Sequence, residues 1–125
     1  MIRDVTEALF NDILKRSERP IVVEFWSPGC SVCKEVAPIY ESVSEEMADE
    51  AIFLRVNTDA NLNMVRRYGV QGTPTFMIFC KEGKLSEIVG MTSATMLRNT
   101  IRDVVRYRTS CRAKGRINYD IDGYG

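Results

Sequence analysis

Between positions 21 and 34 the chain reads Ile-Val-Val-Glu-Phe-Trp-Ser-Pro-Gly-Cys-Ser-Val-Cys-Lys. The apolar run Ile21–Trp26 predicts a buried strand, interrupted only by Glu24. Ser27-Pro28-Gly29 ends it, and an amphipathic stretch begins at once: Val36, Tyr40, Val43 and Met47 mark one helical face from about Cys30 to Met47. Strand therefore gives way to helix within a few residues, and Cys30 and Cys33 sit at the junction. Two cysteines separated by two residues can close a small disulfide ring and reopen it. At a helix start, free N–H groups and the backbone dipoles also favour an anionic sulfur. Such a unit reads as a redox motif rather than a structural bridge.

The remaining pattern surrounds that unit with alternating elements. A short strand is expected at Ile2–Val5. Thr6, Leu9, Phe10, Ile13 and Leu14 predict a capped amphipathic helix ending near Lys15, ahead of Arg19-Pro20. Ala51–Val56 reads as a second buried strand, and Leu62–Tyr68 as a short helix stopped by Gly69. Thr75–Cys80 and Leu85–Val89 flank Lys81-Glu82-Gly83-Lys84, a hairpin with a four-residue loop. A last helix starts around Ser93 and carries Leu97, Ile101, Val104 and Val105. Pro38 lies inside the second helix and should kink it. The order β-α-β-α-β-α-β-β-α implies an α/β domain whose mixed sheet has one antiparallel edge.

At 125 residues and 45% hydrophobic, the chain holds one ordinary core. Its 17 basic and 17 acidic residues cancel, so no overall field steers it to nucleic acid or membrane. Residues 1–105 carry 12 Lys/Arg against 15 Asp/Glu, and 106–125 carry 5 against 2, so the tail is basic. Apolar periodicity stops after Tyr107. The expected division is a domain over 1–107 and a basic, flexible tail over 108–125. Arg106, Arg108, Arg112, Lys114 and Arg116 read as a solvated run, with an acidic partner surface or nucleic acid as the less favoured alternatives. No stretch is apolar enough to span a bilayer, and residues 1–4 show no signal-peptide pattern. Four cysteines without such a leader fit a reducing compartment, hence the cytoplasm.

Several residues beyond the cysteine pair extend the pattern: Phe25-Trp26, Lys34, Pro38, Asn57 with Asp59, Tyr68-Gly69-Val70, Gly72-Thr73-Pro74-Thr75, Gly83 and Gly90. With Cys30-Ser31-Val32-Cys33, over about residues 2–107, the chain resembles the thioredoxin family. The resemblance implies a thioredoxin fold, a central mixed sheet of four to five strands flanked by four helices. It implies thiol–disulfide exchange on protein or small-molecule disulfides, a thioredoxin-reductase-type electron donor, and a monomer. No cofactor is implied beyond the reversible Cys30–Cys33 disulfide. Three positions depart from the family's usual residues. Ser31-Val32 replaces Gly-Pro or Gly-His, Gly29 replaces a tryptophan, and Glu24 replaces an aspartate. A redox-sensing or partner-binding module without general reductase activity is the alternative function.

Cys30 is the expected nucleophile and Cys33, one turn deeper, the resolving thiol. A carboxylate at Glu24 is costly unless paired or protonated. The resemblance makes it the proton acceptor for Cys33, while the plainer reading pairs it with a cation such as Arg55. The resemblance also makes Thr73–Pro74 a cis peptide whose Thr73 backbone receives an extended substrate segment. Gly29 and Gly90 would flank that groove and leave it open and less aromatic. Trp26 is expected to pack against the active-site helix, and Lys34 either to add positive charge near Cys30 or to be solvated. Cys80 reads as a small apolar filler; Cys111 reads as incidental, as a regulatory thiol or as an interchain bridge. Metal binding is not expected: there is no histidine, and Cys80 and Cys111 lack the paired spacing of a zinc site. A cluster shared between two chains would meet Pro74.

Overall fold

The computed structural model describes residues 2–81 and 83–107. The expectations for the 108–125 tail and for Cys111 lie outside these residues. The elements are β1 (Ile2–Asp4), α1 (Glu7–Arg16), β2 (Ile21–Trp26), α2 (Ser31–Glu46), β3 (Ile52–Asn57), a 3₁₀ turn (Thr58–Ala60), α3 (Leu62–Tyr68), β4 (Thr75–Cys80), β5 (Gly83–Val89) and α4 (Ala94–Tyr107). Local chemistry sets their ends. Thr6 Oγ1 accepts the Leu9 N–H at the start of α1. Gly69, at φ +70°, closes α3 in the left-handed region, where a side chain would be strained. The α2 helix runs through Pro38 without interruption.

The sheet order is β1-β3-β2-β4-β5. β1 and β2 lie parallel to β3, while β2–β4 and β4–β5 are antiparallel. The hairpin departs from expectation. β5 already begins at Gly83, opposite Cys80, so Gly83 and Lys84 belong to the strand and not to a four-residue loop. The φ of +123° at Gly83 suits glycine and starts the return strand that early. The register then slips by one at Leu85: Ile78 faces Ser86, and Phe79 faces Lys84.

Strand alternation divides the core between two faces. Ile21, Val23 and Phe25 pack with Leu54, Val56, Met77, Phe79, Phe10 of α1 and Met64 of α3. Val22 faces the other way, with Phe53, Phe76 and Ile78, against Val36, Tyr40 and Val43 of α2 and Leu97, Ile101 and Val104 of α4. Each such side chain taken wholly out of water contributes roughly 1.5–3 kcal/mol, so both layers are firmly held. This parity puts Glu24 on the α2 side of the sheet. Tyr40 locks the same layer, its phenol reaching the carbonyls of Leu54 at 2.7 Å and Val22 at 3.1 Å.

Candidate active site

β2, the central strand, ends at Trp26, and Ser27–Gly29 turn the chain into α2. Cys30 is the N-cap of that helix, with extended backbone (φ −89°, ψ 109°). Its sulfur takes the place that a serine or aspartate oxygen usually fills, accepting the Cys33 N–H at 3.1 Å. Cys30 and Cys33 form a disulfide with their Cα atoms 5.2 Å apart. Cys30 is half-buried and Cys33 is 6% exposed, so a partner can reach only the first sulfur readily. An added Cβ at Gly29, next to Cys30, would meet nothing within 4 Å. Lys34 points to solvent.

A second loop faces this sulfur. The Thr73–Pro74 peptide is cis, and the Thr73 carbonyl oxygen lies 3.4 Å from Cys30 Sγ. Ser27 and Thr73 hydroxyls share a hydrogen bond at 3.0 Å, tying the two loops together. The Thr75 hydroxyl donates to the Gly72 carbonyl at 2.7 Å, and the Gly90 N–H donates to the Pro74 carbonyl at 2.8 Å. Gly90 sits at φ +86°, a conformation that favours glycine. Thr73 itself makes no backbone–backbone hydrogen bond among the described residues. Thus Cys30, Cys33, Thr73, Pro74 and Gly90 come together with Gly29 at the rim. Ser27, which joins the loops, carried no signal in the sequence beyond being polar after a strand.

Glu24 lies below, on the same side of the sheet as α2, with its side chain 2% exposed. Register places Asp4, Arg55 and Glu24 in one row across β1, β3 and β2. Arg55 Nε stands 3.5 Å from Glu24 Oε1, its terminal nitrogen 3.8 Å from Asp4 Oδ2, and its guanidinium 4.4 Å above the Trp26 ring. Burial pushes the Glu24 carboxyl up to about 7; Arg55 opposes this and Asp4 adds to it. The cation of the plainer reading is therefore present, yet desolvation outweighs it. Among the described residues Glu24 Oε2 has no hydrogen-bond partner, and Glu24 lines a cavity of about 440 Å³ with Tyr40, Glu41, Glu45 and Arg55. Tyr40 is shifted well above the ordinary phenol range by its own burial. The Asp4–Arg55 pairing was invisible in sequence, because it depends on β1 lying beside β3.

Trp26 is covered by Arg55, and its carbonyl accepts the Thr58 hydroxyl at 3.2 Å. Cys80 is buried at the end of β4 but is disulfide-bonded, which corrects its reading as a plain apolar filler. Among the described residues no group of three His, Cys, Asp or Glu side chains is placed to hold a metal ion. No helix among them is long and apolar enough to cross a membrane.

Comparison with known proteins agrees with this geometry. The family model for thioredoxin matches residues 1–103. Thioredoxin 1 of Synechococcus elongatus is 35% identical over 97 residues, covering 78% of this chain and 91% of that protein. The thioredoxin of Synechocystis is 34% identical with the same coverage. Among solved structures, the Malassezia sympodialis thioredoxin Mala s 13 superposes with a TM-score of 0.77 at 22% identity, covering 84% of this chain and 91% of that one. Chloroplastic thioredoxin z superposes at 0.74 and 20% identity, covering 82% and 93%. With a cysteine pair closed at a helix start beside a cis-proline loop, and with these relatives, the chain belongs to the thioredoxin family and is a thiol–disulfide oxidoreductase.

Proposed function

We propose that this oxidoreductase works as a reductase of protein disulfides. In its reduced form the Cys30 thiolate attacks one sulfur of a substrate disulfide. A Cys30–substrate bond forms, and the other substrate sulfur leaves as a thiolate. Cys33 then gives its proton to Glu24 and attacks Cys30. This closes the Cys30–Cys33 disulfide and expels the second substrate thiolate, so two electrons pass from the pair to the substrate. Thr73 pairs with the substrate strand through its backbone, with Pro74, Gly29 and Gly90 shaping the groove. The two sulfurs are the electron carriers, with no further cofactor. A thioredoxin-reductase-type donor would recharge them, and the protein would act as a monomer in the reducing cytoplasm.

One observation carries this reading: the Cys33 amide aimed at the sulfur of a half-exposed Cys30. That donor is fixed before reaction and is better matched to a thiolate than to a thiol. A glutamate held near neutrality on the α2 side supports the second step. The test is insulin reduction with dithiothreitol as donor. The chain should speed precipitation of the insulin B chain well beyond dithiothreitol alone. A time course matching dithiothreitol alone overturns the reductase reading.

A further inference from the structure

Beside Thr73 lies a groove of about 300 Å³ that the proposed chemistry does not use. It is lined by the apolar Leu62, Val65 and Val70, by the hydroxyl-bearing Ser27, Thr58 and Thr73, and by Asp59. We propose that this groove is a side-chain subsite for lysine or arginine next to the attacked cysteine of the substrate protein. The inference rests on the reading that the substrate strand lies along Thr73, and it names the class of disulfide preferred there.

Position supports it first. The groove shares Ser27 and Thr73 with the active site, and the Thr73 carbonyl is 3.4 Å from Cys30 Sγ. A strand advances about 3.3 Å per residue, so a long side chain one or two residues from the attacked sulfur reaches the groove.

Composition supports it next. Leu62 is 56% exposed, which gives the groove an accessible apolar surface. Lysine and arginine cover such surface with their methylene stems while keeping the charge in water. The Thr58 hydroxyl donates to Trp26, and the Ser27 and Thr73 hydroxyls bond each other, so each oxygen retains acceptor capacity toward a cationic head. Asp59 is the only charged residue lining the groove, and among the described residues it is in no ion pair. Arg66, further along α3, does not line it. An acidic substrate residue would meet Asp59 with like charge, and an apolar one would leave that carboxylate unanswered.

The experiment mixes the fully reduced chain with three short peptide disulfides that carry Lys, Leu or Glu beside the cysteine. Oxidation is followed through the fluorescence of Trp26, the single tryptophan. Each rate is divided by that of the same peptide with dithiothreitol, which removes the peptide's intrinsic reactivity. The Lys peptide should exceed the Leu peptide about three- to fivefold at low salt, with the Glu peptide slower again. The preference should shrink at high salt and in Asp59→Asn. Equal normalised rates, or a preference that Asp59→Asn leaves intact, overturn the subsite alone. Failure of all three peptides to react overturns the reductase reading and the subsite with it.

Discussion

Replacing Cys30 with serine is expected to bring insulin reduction down to the rate of dithiothreitol alone, the largest loss any single change should produce. A serine hydroxyl does not ionise near neutral pH and cannot form a disulfide, so the amide of Cys33 that faces the sulfur at 3.1 Å has no anion to stabilise. Cys33→Ser should behave differently. The first attack survives, and the protein accumulates as a mixed disulfide through Cys30, because the second thiol is missing. A well-placed internal nucleophile acts at an effective concentration of about 10⁵ M or more, which millimolar external thiol cannot match. Mass spectrometry of the two variants with a disulfide peptide reads both outcomes. A trapped adduct on Cys30→Ser, through Cys33, would reverse the assigned order.

The second large effect concerns Glu24 and can be read as stability against pH. In the oxidised protein its carboxyl is raised from 4.5 to about 7 by burial. The folded state therefore holds the proton more tightly than the unfolded chain does. The stabilising contribution is fully present below about 4.5 and is lost as pH rises through about 7. The size of the shift corresponds to roughly 3 kcal/mol. Glu24→Gln keeps the shape of the protonated side chain and cannot ionise. It should match the wild type at pH 4.5 and exceed it by up to roughly 3 kcal/mol at pH 8, measured by urea unfolding. The same variant should slow release of the reduced substrate by about a hundredfold or more, while leaving the first attack intact. Parallel stability curves for the two proteins across this range would place the Glu24 carboxyl in an ordinary, solvated setting.

Much of this site is legible in residues 21–34, because local chemistry decides it. An apolar run makes a strand, Pro28-Gly29 stops it, and the helix that follows carries Cys30 at its cap. The position of Glu24 on the α2 side follows from simple alternation with Val22. Other features depend on partners distant in sequence. Arg55 was a candidate cation for Glu24, but its division between Glu24 and Asp4 appears only when β1 joins β3 in parallel register. The Ser27–Thr73 hydrogen bond spans 46 positions, and no periodicity announces it. The hairpin differs from its sequence reading because Gly83 and Lys84 have the composition of turn residues, whereas the left-handed glycine begins the strand and the irregularity moves inward to Leu85. Cys80 shows the same limit: burial could be read from its strand, but bonding could not.

The central claim is that the start of α2 holds Cys30 as an accessible thiolate while Cys33 stays protonated beneath it. The most direct measurement is the pH dependence of iodoacetamide alkylation of the reduced protein, with the modified cysteine identified by mass spectrometry. Modification is expected at Cys30 ahead of Cys33, with a midpoint below the ordinary thiol value of about 8.5. Modification that begins at Cys33, or a Cys30 midpoint at or above that ordinary value, would contradict it.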